Sequence, residues 1–345
     1  MSYRILIVGL GSIGRRHLRL AREILPNAQI AVLRHQKHRS LPEYADYCYS
    51  NILDALAFDP QIAVIANPAT FHIKVAMRLA EVGVHLLIEK PLSANIEGIA
   101  ELLDAVQQNN TILATAYNLR FLPSLQQFKS MLDNKLIGEV WSVRCEVGHD
   151  LTNWRPNCDY RKSVSAQHSL GGGALLELSH ELDYIRWIFG EVDWVHAVLS
   201  KQSDLEINVE DSAYMILGFA ALNTESQLVA SVNMDFIRQD LTRSCTAIGK
   251  LGSLRWNGVT GTVELYKAGE TKWNEVYAHC ATRDESYRAE WHDFLECIEH
   301  GTRPSVSALD GLRVLEVIEA ARLSAKNTTR VNVTITSSNK TGLIV

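Results

Sequence analysis

The chain has 345 residues, of which 47% are hydrophobic and 21% charged. That composition is globular and excludes disordered, collagen-like and disulfide-scaffold chains, and the length fits about two domains. Lys plus Arg number 34 against 39 Asp plus Glu, a formal net charge of -5, so nucleic acid is not an expected partner.

The first third alternates apolar runs with helical patterns. Residues 3–10 read as a buried strand, 13–25 as a helix and 29–33 as a second strand. A short helix over 51–58 precedes a strand at 62–65, and a helix over 71–82 precedes one at 85–88. A helix at 96–108 leads to a strand at 112–116. Strands alternating with helices imply βαβ units and a parallel sheet. After about residue 120 the pattern changes. A helix runs from Pro123 to near Asn134, and strand-like runs follow at 140–147, 192–199, 212–219, 227–236, 244–248 and 263–266. A helix is expected over 175–189, and helices over 286–299 and 309–324 close the chain. The fold class is therefore α/β: a parallel dinucleotide-binding domain over 1–120 and an α+β domain with an open, mostly antiparallel sheet over 121–345.

Cysteines at 48, 145, 158, 245, 280 and 297 form no C-x-x-C pair, and no His cluster completes a zinc pattern. Free thiols in a reducing compartment and no metal are expected. No apolar run approaches the roughly 18 residues of a membrane span. The apolar N-terminal run lacks a small-residue cleavage site and reads as a first strand rather than a signal peptide. A cytoplasmic protein without a membrane partner is expected.

Gly9-Leu10-Gly11-Ser12-Ile13-Gly14 closes the first strand and opens the first helix. In a dinucleotide fold Gly9 permits the tight turn, Gly11 the approach of a pyrophosphate and Gly14 close helix–strand packing. Ser12 and Ile13 lie on the first helical turn, whose free N–H groups and positive dipole end suit phosphates. An acidic residue at the end of the second strand would bind the ribose hydroxyls of NAD. Here Leu33 is followed by Arg34, His35, Gln36 and Lys37. Arg34 can pair with a 2′-phosphate, so NADP is favoured over NAD.

Further motifs carry a specific resemblance. Asn67-Pro68-Ala69-Thr70-Phe71-His72 follows the strand at 62–65, Glu89-Lys90-Pro91 closes the strand at 85–88, and Gly171-Gly172-Gly173 leads into a helix carrying His180 and Asp183. With the glycine turn, their order and spacing resemble the glucose–fructose oxidoreductase / inositol dehydrogenase / MocA family over nearly the whole chain. The resemblance implies a Rossmann domain followed by a substrate-binding and oligomerisation domain, with dimers or tetramers formed through its sheet. It implies that Lys90 and His180 are the catalytic pair, that Lys90-Pro91 is cis, and that Glu89 contacts the nicotinamide ribose. Many members carry Asp where this chain has Glu177. Glu-Leu-Ser-His, residues 177–180, is close to the Asp-Leu-Ser-His of members tied to surface-sugar or nonulosonic-acid pathways.

The residues bear a physical reading of their own. Lys90 ends a parallel strand, on the edge where ligands collect in open α/β sheets. It can polarise a carbonyl or stabilise a developing alkoxide. Asn67, Pro68 and His72 follow a neighbouring strand and join Glu89 and Lys90 as cofactor-side candidates. On a helical wheel over 175–189, Leu178, Leu182, Ile185 and Phe189 form one stripe, and His180 lies roughly opposite with Glu177, Asp183, Tyr184 and Trp187. Asp183 is within reach of His180 and can orient its imidazole. A histidine suits proton transfer in both reaction directions, with Lys90 as electrostatic partner; sequence alone also allows the two roles to be exchanged. Lys90, Arg120, Trp154, Arg155, Tyr160, Arg161, Glu177 and His180 are the substrate-side candidates, because Arg and aromatic side chains suit a sugar bearing an acidic or phosphorylated group. Gly171 to Gly173 reads as a turn rather than a second phosphate cradle.

The expected activity is hydride transfer between NADP or NAD and a carbinol or carbonyl carbon of a small sugar-like substrate. A cofactor-binding sensor without turnover, and a related reductase acting on an imine or enone, are the alternatives.

Overall fold

The computed structural model describes residues 3–35, 40–154, 158–220 and 227–336. The chain forms two compact units. One holds the chain up to Tyr117 together with Arg288–Leu315; the other holds Asn118–Tyr287 and Glu316–Thr336.

In the first unit, strands β1 (Arg4–Val8), β2 (Gln29–Leu33), β3 (Tyr47–Tyr49), β4 (Ile62–Ile65), β5 (His85–Glu89) and β6 (Leu113–Ala116) form a sheet in the order β3-β2-β1-β4-β5-β6. Every pairing is parallel. Sheet order reverses between β1 and β4, the crevice where doubly wound sheets bind ligands. Ile5, Leu6, Ile7 and the whole of β4 are fully buried, which is why these strands read as unbroken apolar runs. Helices α1 (Ser12–Ile24), α2 (Ile52–Ala57), α3 (His72–Ala80) and α4 (Ile99–Gln108) connect them. Asn51 caps α2 by accepting the Asp54 N–H at 2.9 Å. The three-residue β3 has no apolar run, and Tyr47 and Cys48 are exposed, so no periodicity announces it.

The first division of the chain falls between Tyr117 and Asn118, but the second unit does not hold the rest of the chain. Residues Arg288–Leu315, expected in the second domain, belong to the first unit. Thr115 on β6 donates its N–H to Val306 O at 3.0 Å and its hydroxyl to Ser307 O at 3.2 Å. A Cβ on Gly311 would come within 2.8 Å of Leu92 Cβ. These bonds complete the edge of the parallel sheet with chain from far downstream.

The second unit begins with α5 (Pro123–Asp133) and β7 (Val140–Gly148). The helix expected over 175–189 is two pieces, α6 (Ala174–Glu177) and α7 (His180–Phe189). The break falls at Leu178 and Ser179, a turn in which the Ser179 N–H donates to Leu176 O at 3.4 Å. Glu210 caps α6, its backbone oxygen accepting the Ala174 N–H at 3.1 Å and its carboxylate the Leu175 N–H at 3.0 Å. Strands β8 (Val192–Ser200), β9 (Ser212–Phe219), β10 (Val229–Asp235), β11 (Thr242–Gly249), β12 (Gly252–Asn257), β13 (Thr262–Lys267) and β14 (Asn274–Ala278) follow. Next in the chain come α8 (Glu285–His300), most of it in the first unit, α9 (Ala308–Asn327), divided between the units after Leu315, and β15 (Val331–Asn332). The sheet order is β14-β13-β12-β11-β7-β10-β9-β8-β15, antiparallel except for β7 beside β10. Alternation sets its faces: Val143, Cys145 and Val147 are buried while Arg144 is exposed. The buried Trp256 donates to Ser124 Oγ at 3.0 Å and so ties β12 to α5.

No helix among the described residues is long and apolar enough to cross a membrane.

Candidate active site

The glycine turn sits at the reversal point of the parallel sheet. Gly9 has a φ of 89°, and a Cβ there would lie 2.8 Å from Ala66 O and Asn67 N. A Cβ on Gly14 would meet Gly9 O at 2.3 Å, whereas one on Gly11 would point into open space. Two of the glycines therefore close the turn against β4, and the third leaves room for an incoming group. At the start of α1 no side chain caps the helix and the first turn carries no acid. Ser12 is exposed and Ile13 half-buried. Beside the turn, the buried Asn67 Oδ1 has no hydrogen-bond partner among the described residues. An open glycine, uncapped helical N–H groups and an orphaned amide oxygen fit a dinucleotide. The chain around Arg34 bears no carboxylate in the described residues; Arg34 is half-buried and donates its backbone N–H to Tyr49 O at 3.0 Å. Gln36 and Lys37 lie outside the described residues.

Lys90 follows β5 and forms a cis bond with Pro91. Its surroundings hold residues the sequence reading missed. Glu89 Oε2 accepts the Lys90 backbone N–H at 3.1 Å, and Glu89 Oε1 lies 2.7 Å from Nε2 of the fully buried His17. The Trp291 indole donates to His17 Nδ1 at 3.0 Å. The signal for His17 was a polar residue within the buried stripe of α1, among Gly14, Leu18 and Ala21; nothing local pointed to Trp291. On the other side His72 is buried, with Nε2 2.7 Å from Asn67 O and Nδ1 3.1 Å from Pro91 O. Burial pushes its imidazole below the ordinary histidine range, against the backbone bonds that raise it. His72 thus braces the loops after β4 and β5 through the backbone, where a cofactor contact had been expected of it. Next to Trp291, the buried Glu290 has no hydrogen-bond partner for either carboxyl oxygen among the described residues. Burial, then the nearby charge of Glu89, pushes it well above the usual carboxylate range.

In the second unit His180 is the first residue of α7 and is half-buried. Asp183, expected to orient it, forms a two-bond pair with Arg120. Arg120 Nε donates to Oδ2 at 2.9 Å and Nη2 to Oδ1 at 2.6 Å. Both residues are buried, and the Arg120 guanidinium lies 5.8 Å from the Trp187 ring centre. Arg120 is therefore a bidentate partner inside the unit, a different placement from the substrate-facing one expected. Glu181, fully buried, pairs with Arg243 at 2.8 Å. Tyr184 faces the sheet instead of sharing the polar side of α7: it is buried, and its hydroxyl lies 2.8 Å from Cys145 Sγ.

Glu177 accepts the Ser165 hydroxyl at 2.8 Å. Ser165 lines a small pocket with Leu151, Trp154, Cys158, Tyr160 and Ser163, so Trp154, Tyr160 and Glu177 share one neighbourhood. Trp154 donates to His149 O at 3.0 Å and packs edge-on against Phe236. Arg161 pairs at the surface with Asp159 at 2.8 Å and Glu206 at 3.2 Å, away from the pocket lining. Arg155 lies outside the described residues. Gly172 and Gly173 are a packed turn: a Cβ would meet Val164 O at 2.3 Å and Glu210 Oε1 at 2.4 Å, respectively.

Comparison with known proteins agrees with these features. Residues 3–117 match the sequence profile described as "Oxidoreductase family, NAD-binding Rossmann fold" and residues 129–333 that described as "Oxidoreductase family, C-terminal alpha/beta domain". The levoglucosan dehydrogenase of Pseudarthrobacter phenanthrenivorans is 35% identical over 146 residues, covering 41% of this chain and 37% of that protein. An uncharacterized oxidoreductase of Synechocystis is 31% identical over 156 residues, 45% of this chain and 41% of its own length. The chain thus spans less than half the length of those two relatives. The myo-inositol 2-dehydrogenase of Thermotoga maritima is 24% identical over 93% of this chain and 96% of its own. In fold, the chain resembles a levoglucosan dehydrogenase solved with NADH and levoglucosan, with a TM-score of 0.83 at 23% identity, covering 97% of this chain and 100% of the other. It also resembles the WlbA dehydrogenase of Bordetella pertussis solved with NADH and UDP-GlcNAcA, with a TM-score of 0.79 at 20% identity over 97% and 100% of the two chains. Both halves of the chain therefore place it in the glucose–fructose oxidoreductase / inositol dehydrogenase / MocA family of oxidoreductases.

Proposed function

We propose that this chain is a nicotinamide-dependent dehydrogenase or reductase acting on a carbinol or carbonyl carbon of a sugar or sugar derivative. The observation that carries the reading is Lys90, held through Glu89 on the same sheet edge as the open glycine turn and the orphaned Asn67 oxygen. When bound, the dinucleotide supplies or accepts the hydride. The turn at Gly9, Gly11 and Gly14 and the start of α1, Ser12 and Ile13, hold its phosphates, and Asn67, Pro68 and Glu89 face its nicotinamide half. Lys90 provides positive charge as an alkoxide develops, and His180 takes or returns the hydroxyl proton. Asp183 serves through Arg120, keeping α7 in place. Trp154, Tyr160 and Glu177 contribute apolar and polar surface suited to a sugar ring, in line with the levoglucosan, inositol and UDP-sugar enzymes among the relatives. The Glu-Leu-Ser-His sequence favours a surface-sugar or nonulosonic-acid derivative. Exposed Trp141, Val198, Tyr214 and Ile216 on the open sheet support a homo-oligomer. The absence of an acid beside Arg34 favours NADP.

Titration of tryptophan fluorescence with NADPH and NADH tests the cofactor. Tighter NADPH binding is expected; tighter NADH binding would leave Arg34 without a role at a 2′-phosphate. Steady-state assays against a sugar panel test the chemistry. Lys90→Ala and His180→Ala should each lower kcat about 10²- to 10⁴-fold while leaving cofactor affinity within a few-fold. Unchanged turnover in either variant would overturn its assigned role.

A further inference from the structure

We propose that His17 is a positioning residue, locked in one tautomer by Trp291, that sets Glu89 and through it the backbone of Lys90. The argument starts with the indole, whose N–H can only donate. Trp291 Nε1 lies 3.0 Å from His17 Nδ1, so Nδ1 presents a lone pair and the ring hydrogen sits on Nε2. That hydrogen points at Glu89 Oε1, 2.7 Å away. The other oxygen, Oε2, takes the N–H of Lys90 itself at 3.1 Å. With the indole as donor and the carboxylate as acceptor, the order Trp291 to His17 to Glu89 fixes the direction of both bonds. His17 is 0% exposed and Glu89 7%, so water does not compete for the carboxylate. In such surroundings a hydrogen bond is strengthened and a missing one is costly.

The consequence is geometric. Glu89 precedes Lys90 in the chain, so a freely rotating carboxylate would leave the Lys90 peptide N–H to find another acceptor. His17 holds the carboxylate from behind, and the lysine backbone is fastened at the strand end. His72 fastens the following residue, through Pro91 O. Lys90 thus leaves the sheet between two hydrogen-bonded neighbours. This inference rests on the reading of Lys90 as a catalytic group; the tautomer itself does not.

Three variants separate a hydrogen-bonding role from packing. Trp291→Phe removes the indole N–H and keeps an aromatic ring. His17→Gln keeps an acceptor and a donor on one planar group, whereas His17→Leu keeps bulk alone. Nitrogen NMR of the histidine rings in cofactor-free protein should show His17 with a pyridine-like Nδ1 and a pyrrole-like Nε2. In Trp291→Phe the Nδ1 signal should shift as the indole hydrogen bond is lost, while Nε2, still facing the Glu89 carboxylate, should stay pyrrole-like. In turnover, His17→Leu should lose about 10- to 100-fold in kcat, with KM for the sugar little changed, and His17→Gln should recover most of that loss. A pyrrole-like Nδ1 in the wild type would overturn the tautomer lock. Full kcat in His17→Leu, where Lys90→Ala is inactive, would overturn the positioning role alone. Full kcat in Lys90→Ala would overturn both this role and the functional reading above it.

Discussion

The two proposed catalytic groups are held by different physics. At the end of β5, Lys90 is fastened through hydrogen bonds relayed by Glu89, His17 and Trp291, a chain with a single buried carboxylate on it. At the start of α7, His180 is followed by two buried acids, Glu181 and Asp183, each answered by an arginine from another element. The first arrangement depends on which atom carries a hydrogen. The second depends on charge neutralisation, and a buried ion pair is secure only while both partners remain. Removing one member should therefore cost much more around α7 than around β5.

The strongest way to break this comparison is Asp183→Ala. It strands the buried Arg120 guanidinium and should destabilise the protein by about 3–5 kcal/mol, measured by urea denaturation. The paired change Arg120→Met with Asp183→Leu should recover most of that stability, because no charge is left unmatched. A small loss in the single variant would mean that the pair is not sealed from water. On the β5 side, Glu290→Met should move the other way, gaining about 1–3 kcal/mol by removing a buried carboxyl that lacks a partner. The pH dependence carries a sign. Glu290 is shifted up in the fold, so wild-type stability is fully present below the unfolded glutamate range, about pH 4.3, and falls as pH rises toward the folded value. The advantage of Glu290→Met should accordingly widen with rising pH; a gap that stays constant with pH would show that Glu290 ionises as freely in the fold as in the unfolded chain. The smallest effect sharpens the comparison from within α7. Tyr184→Phe loses only the neutral bond to Cys145 and should cost about 0.5–1.5 kcal/mol, well below the ion-pair value in the same melts.

Much of the fold was legible because burial on both faces leaves apolar runs. Strands β2, β4 and β9 have the limits expected from sequence. Strands β3 and β14 were not, being short and largely exposed, and β12 alternates correctly but for only six residues. Among site residues, the glycine turn, Asn67, Glu89, Lys90 and His180 could be singled out because each sits at the end of an element or opens one. Their partners could not. Arg120 and Asp183 are 63 positions apart, and Trp291 and His17 are 274 apart. Helical spacing made His180 the natural partner for Asp183, and only the tertiary fold brings a guanidinium to it. The helical wheel grouped Tyr184 with His180, and only the sheet strand that carries Cys145 gives Tyr184 its buried place.

The return of Arg288–Leu315 to the first unit has a consequence for biosynthesis. The parallel sheet, its glycine turn and Lys90 are all translated within the first third of the chain, yet the acceptor edge for Thr115 and the donor for His17 emerge from the ribosome only near its end. The nucleotide-binding half is therefore not a cassette that a gene could lend out as a leading fragment. A nascent chain must hold its first sheet unfinished until almost all of the second unit has been made.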